Sequence, residues 1–97
     1  MRVIARKTLK DFWERHPDAE QPLKAWHAEA LHAAWLLPKD IKARYPAARL
    51  IAGNRVVFNI KGNKYRSITH VRYDLGRVYI RFIGTHPEYD KVNAATV

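Results

Sequence analysis

The sequence predicts an α+β fold in which an N-terminal helical pair packs on a twisted, mainly antiparallel β-sheet. Two observations carry this reading. In the first half, apolar residues recur at the i, i+3, i+4, i+7 spacing of one helical face and prolines punctuate them. From Ala48 onward the pattern becomes strand-like, and Gly-Asn pairs interrupt it twice. With 97 residues, 47% of them apolar and 11% aromatic, the chain suffices for one packed core, and residues 1–97 are read as a single domain.

Residues 1–5, with β-branched Val3 and Ile4, read as a short opening strand. Thr8 and Asp11 resemble a capping box, and Leu9, Phe12, Trp13 and His16 line one helical face until Pro17 stops it. Asp18 is expected to cap the next helix, which tolerates Pro22 in its first turn. Its stripe Leu23, Trp26, Ala30, Ala33 and Leu37 runs up to Pro38. Asp40, Ile41 and Tyr45, held between Pro38 and Pro46, suit one helical turn used as a connector. Residues 50–52 and 55–61 then read as strands around a two-residue Gly53-Asn54 turn. A second such turn at Gly62-Asn63 leads into a strand over 64–73. A three-residue turn at 74–76 leads into the last long strand, 77–83. The helices are expected on one face of this meander.

The register implied by these turns places Asn59 opposite Arg66, Val57 opposite Ile68, Arg55 opposite His70 and Lys61 opposite Lys64, all on one face. The next hairpin then sets Ile68 against Phe82 and Arg66 against Gly84. One end of that face therefore gathers Asn59, Lys61, Lys64 and Arg66, and the chain leaving Gly84 delivers Thr85 and His86 to it.

Charge follows the same division. Lys and Arg total 18 against 9 Asp and Glu, a formal net charge of +9. Residues 49–86 hold eight of those cations with Asp74 as their one acid, whereas residues 1–48 hold nine cations and six acids. A positive field on the sheet half, with Tyr65, Tyr73 and Tyr79 available for stacking, points to RNA or an RNA-rich surface.

The absence of cysteine excludes disulfides, a thiolate nucleophile and Cys-ligated metal. His27 and His32 lie five apart in a helix, so no metal site and no cofactor is expected. There is no phosphate-cradling glycine loop and no glycine-flanked nucleophilic serine. No apolar run approaches a membrane span and no secretory signal opens the chain, so a cytoplasmic protein without membrane contact is the expectation. RNA carries its own nucleophile in the 2′-OH, so Arg, Lys, His and Tyr suffice for cleavage without metal.

The run Arg55-Val56-Val57-Phe58-Asn59-Ile60-Lys61-Gly62-Asn63-Lys64-Tyr65-Arg66 and the run Tyr79-Ile80-Arg81-Phe82-Ile83-Gly84-Thr85-His86-Pro87-Glu88-Tyr89-Asp90 resemble the HigB toxin family, within the wider RelE-like fold. Phe12-Trp13, His16-Pro17-Asp18-Ala19 and Tyr45-Pro46 extend the likeness to nearly the whole chain. The resemblance implies the toxin of a type II toxin–antitoxin module, a ribosome-dependent endoribonuclease acting on translated mRNA. It also implies a HigA-like antitoxin with a helix-turn-helix, and contact with operator DNA only through the antitoxin complex. By the same resemblance Arg66 faces the scissile phosphate, His86 and Lys61 handle protons, and Tyr89 stacks on or orients the RNA. Asn59, Lys64, Arg55 and Arg81 are the expected RNA contacts. Ser67, Thr69 and His70 depart from the aliphatic residues usual at this strand in the family. Two other readings stand beside this one: a non-catalytic basic module that binds RNA or the ribosome, and a toxin of the same fold acting on a protein target.

Overall fold

The computed structural model describes residues 1–97. Strand β1 (Arg2–Ile4) leads into α1 (Arg6–Arg15), a single 3-10 turn (Pro17–Ala19), α2 (Glu20–His32) and α3 (Pro38–Arg44). Four strands follow, β2 (Arg49–Ile51), β3 (Arg55–Ile60), β4 (Tyr65–Arg72) and β5 (Arg77–Thr85), and the short α4 (His86–Asp90) closes the fold. The five strands form one sheet in the order β1-β5-β4-β3-β2. Only β1 runs parallel to its neighbour, pairing with β5 at the sheet edge. This is the α+β architecture expected from the sequence.

The sheet has two faces with different covers. On the first, Val56, Phe58, Ile60, Tyr65, Val71 and Val78 meet the apolar stripes of α1 and α2 in the main core. Phe58 is its aromatic hub, with ring centroids 5.2 Å from Trp26, 5.2 Å from Tyr45 and 6.1 Å from Trp35. On the second face, Val57 and Ile68 pack with Tyr89, joined by Ile51, Phe82, Val92, Ala94 and Val97. The helices are therefore not confined to one face. The chain folds back after β5 because Thr85 and Glu88 form a reciprocal capping box and Pro87 is tolerated in the first turn.

The register between β3 and β4 matches the sequence reading at Asn59↔Arg66, Val57↔Ile68 and Arg55↔His70. Between β4 and β5, Ile68↔Phe82 and Arg66↔Gly84 also pair, but by a different route. The turn there spans four residues, since Arg72 pairs Arg77, and a bulge between Ile68 and Thr69 leaves Arg81 as the extra residue of β5. The added turn residue and the bulge cancel. At the other hairpin, Ile51 pairs Arg55, so the loop holds Ala52, Gly53 and Asn54 and Arg49 sits opposite Val57. A two-residue turn would have put Leu50 there.

Several local expectations give way to tertiary contacts. Helix α1 starts at Arg6 with no side-chain cap, so Thr8 lies inside it. Asp18 makes no cap for α2, because its carboxylate is engaged by the β3–β4 hairpin. Helix α2 ends at His32, where Ala33 turns extended, yet Trp35 beyond it remains in the core. Ser67 and Thr69 are buried on the first face of an uninterrupted β4, and the Thr69 hydroxyl donates to Val56 O at 3.0 Å. No helix is long and apolar enough to cross a membrane.

Candidate active site

Arg66 and Gly84 are neighbours across β4 and β5, and the site is built around that pair. A Cβ at Gly84 would lie 2.6 Å from Phe82 Cζ and 3.1 Å from Glu88 Oε1, so glycine gives α4 room to fold back beside Arg66. The fold-back is fixed by Thr85 N donating to Glu88 Oε1 at 2.8 Å, a backbone bond that holds the Glu88 carboxyl below the usual range. One helical turn later Tyr89 reaches the second face and is only 8% exposed.

The Arg66 guanidinium lies 4.9 Å from the centre of the Tyr89 ring. Its Nη2 donates to Asn63 Oδ1 at 2.8 Å, while its Nε is buried without a hydrogen-bond partner. Arg49 Nη1 donates to the Tyr89 hydroxyl at 3.2 Å. Two guanidiniums thus converge on one tyrosine, Arg66 on its face and Arg49 on its oxygen. Asn59 is the exposed neighbour of Arg66 on β3. His86 opens α4, its ring 6.5 Å from Tyr89 and its Nδ1 3.2 Å from Asp90 Oδ2. A proton on Nδ1 makes that contact a hydrogen bond and leaves Nε2 as the proton acceptor.

Of the residues singled out in the sequence, Arg66, His86, Tyr89 and Asn59 come together here. The two lysines do not join them on this face. The left-handed residues of the hairpin turn are Lys61, at φ 53°, and Gly62, at φ 65°, rather than Gly62 and Asn63. The tip bends toward the helices, where Lys61 Nζ reaches Asp18 at 3.2 Å, and Lys64 Nζ and the Tyr65 hydroxyl also donate to that carboxylate. Hydrogen bonds from Lys64 and Tyr65 hold the Asp18 carboxyl far below its ordinary range. Arg55 lies four residues back along β3, donating to Gly53 O and Val97 O at 3.1 Å each. Arg81 stands exposed at the bulge.

Three contributors were not expected at the site from the sequence, Arg49, Asn63 and Asp90, while Asp18, read there as a helix cap, instead holds the two lysines off this face. The signal for Arg49 was its register with Val57, which depends on the length of the preceding hairpin loop. That for Asp90 was its position four residues after His86, one turn along a helix. No three His, Asp or Glu side chains converge as a metal site. A concavity of about 400 Å³ between α2 and α3, lined by Glu29, Trp35 and Tyr45 among others, shares no residue with this set. Its rim is closed by Arg44 and the Tyr45 hydroxyl, both donating to Glu29.

The arrangement offers a fixed cation for a phosphate and a histidine for proton transfer at the same end of one sheet face. Comparison with known proteins bears on the chain as a whole. The chain is 32% identical over 92 residues, 93% of its length, to the mRNA interferase toxin HigB of Escherichia coli K12, and covers 88% of that protein. The same identity and coverage hold for the mRNA interferase HigB of Escherichia coli O157:H7 and of Shigella flexneri. A model of the HigB toxin family, described as the RelE-like toxic component of a toxin–antitoxin system, matches residues 19–92. With three quarters of its length inside that match, the chain belongs to the HigB toxin family.

Proposed function

We propose that the chain is an endoribonuclease that cuts mRNA on the translating ribosome, in the cytoplasm, by attack of the RNA's own 2′-OH. The observation that carries the reading is the Arg66 guanidinium mounted on Tyr89 with His86 at the start of the adjoining helix. The names of the relatives, mRNA interferases at 32% identity, support the same substrate.

In this mechanism the 2′-oxygen attacks the adjacent phosphorus and its proton passes to His86 Nε2. Negative charge grows on the non-bridging oxygens and Arg66 stabilises it through charge-assisted hydrogen bonds. The P–O5′ bond breaks, and the leaving 5′-oxygen takes a proton from a cationic group, assigned here to Lys61 once RNA draws it away from Asp18. The products are a 2′,3′-cyclic phosphate and a 5′-hydroxyl. Tyr89 has one ring face under Arg66 and its hydroxyl bound by Arg49, so its part is to hold Arg66 in place. Asn59 contacts the RNA beside the cut, Lys64 joins it on leaving Asp18 as Lys61 does, and Arg55 and Arg81 hold the strand further along the sheet. No metal enters these steps.

A HigA-like antitoxin with a helix-turn-helix is the partner that restrains the activity, and operator DNA is reached only through that complex. The test is mapping of mRNA 5′ ends in a reconstituted translation reaction with wild type, Arg66→Ala and His86→Ala. Cuts that need the ribosome and vanish in both variants support the mechanism. Ribosome binding without cuts would leave a non-catalytic RNA-binding module, and untouched mRNA with unimpeded translation would point to a protein target.

A further inference from the structure

The second face carries another group of cations at the end remote from Arg66. The register sets Arg2 beside Arg77 across β1 and β5, and Arg77 beside Arg72 across β5 and β4. Paired residues share a face, and adjacent strands lie about 4.8 Å apart, so three arginines stand in a row about 10 Å wide. In the next row on that face, His70 lies beside Tyr79 with ring centroids 6.2 Å apart. Arg81 stands exposed at the bulge above them. Burial, and then the nearby charges of Arg55, Arg81 and Arg72, favour the neutral form of His70.

Nothing within the fold accounts for this row. Like charges side by side in neighbouring strands cost stability. Asp74 alone answers them, with two hydrogen bonds to Arg72 at 3.1 and 2.9 Å. Arg77 spends one donor on the Tyr79 hydroxyl at 3.4 Å, and Arg2 is exposed. The elements that cover this face, α4 and the chain after it, pack on Val57, Ile68 and Phe82 and leave the arginine row open. Arg72 lies six residue steps along β4 from Arg66, about 20 Å at 3.3 Å per residue, so one phosphate cannot serve both.

We propose that Arg2, Arg72 and Arg77 form a docking surface for the phosphate backbone of folded, double-helical RNA, separate from the cleavage site. Guanidinium forks match phosphate oxygens in pairs. Several cations in so small an area need several phosphates close together, which A-form RNA supplies on the two rims of its narrow major groove. A protein partner would want an apolar centre with its charges at the rim, and here the charges occupy the centre. The proposed ribosome-dependent activity identifies this RNA as ribosomal, and in that respect the inference rests on that reading.

The experiment measures binding of wild type and the Arg2→Gln/Arg77→Gln double variant to purified ribosomes and to a short A-form RNA duplex, as a function of salt. Thermal unfolding of the variant, expected to be no lower than wild type once like charges are removed, shows that the fold is kept. The expected result is a slope of log K against log salt that is shallower by roughly 1.4–1.8 in the variant, because two fewer phosphates are neutralised. An unchanged slope on both probes overturns the proposal, as does a variant that releases antitoxin while binding RNA normally. A weaker slope seen on the duplex alone places the RNA outside the ribosome and overturns the ribosomal assignment. Cutting of mRNA by wild type is scored in the same ribosome preparation. Cutting with an unchanged slope refutes only the docking surface, and a weakened slope without cutting refutes only the nuclease.

Discussion

Tyr89 separates two accounts of the site, a platform for Arg66 or a hydroxyl that takes part in the chemistry, and three substitutions distinguish them. Tyr89→Phe keeps the ring 4.9 Å from the guanidinium and loses only the bond from Arg49. Arg49 is exposed, so water replaces the lost acceptor and the cost is about 0.5–1.5 kcal/mol. Tyr89→Ala empties a ring that is 8% exposed, a loss of about 3–5 kcal/mol, which takes most or all of the stability of a domain near the bottom of the usual range of about 5–15 kcal/mol. Tyr89→Leu refills most of the volume without a π face and is therefore the informative partner of Tyr89→Phe. The cation–π contribution of about 0.5–2 kcal/mol, at 1.36 kcal/mol per tenfold, sets the expected loss of cutting rate in Tyr89→Leu at roughly 2- to 30-fold. Single-turnover cleavage of ribosome-bound mRNA, with urea unfolding of the same samples, reads both quantities. The platform account expects Tyr89→Phe to stay within about fivefold of wild type and to exceed Tyr89→Leu. A folded Tyr89→Phe protein that cuts no better than Tyr89→Leu refutes it.

Asp18 predicts a pH effect. Its folded pKa is depressed by Lys64 and Tyr65, so its contribution is complete above the ordinary carboxylate range near pH 4 and is lost as pH falls below that range toward the folded value. Asp18→Asn should lower the urea midpoint at about pH 7 and lose less than wild type on acidification to about pH 3, and equal losses in the two proteins contradict this. Gly84→Ala drives a methyl against Phe82 and Glu88 and should cost about 1–3 kcal/mol, seen as a fall in Tm of about 4–8 °C per kcal/mol together with lost cutting. An unshifted Tm would show that Phe82 simply swings away. Phe58→Ala removes the ring shared by Trp26, Trp35 and Tyr45 and should cost about 3–5 kcal/mol in urea unfolding, and a loss below about 1 kcal/mol would deny Phe58 its place as the hub.

The β3–β4 pairing was legible in the sequence because the alternation of apolar and polar residues specifies it. A slip of one residue would send Val57 and Ile68 to the wrong face. Arg66, Asn59 and the chain after Gly84 followed from that register. Arg49 did not, because Gly-Asn reads as a two-residue turn while the true loop takes in Ala52 as well. The four-residue turn after Arg72 was equally hidden, and the bulge at Arg81 compensated for it, so correct distal pairs came from an incorrect turn. Asp18 has the sequence of a helix cap, and only the tertiary approach of Lys61, Lys64 and Tyr65 reassigns it. The parallel pairing of β1 with β5 joins opposite ends of the chain, and no local pattern announces it. Helix α4, five residues long, is too short to show a period, although its Thr85 and Glu88 capping pair was there to be read.

In the proposed mechanism RNA supplies its own nucleophile while Arg66 and His86 stabilise charge and move protons. The direct test is single-turnover cutting of a ribosome-bound mRNA that carries one 2′-deoxynucleotide at the mapped cut, beside the all-ribose message. The mechanism requires intact deoxy message, and cut ribose message ending in a 2′,3′-cyclic phosphate. Cutting at the deoxy position would contradict it, because the attacking oxygen would then come from elsewhere.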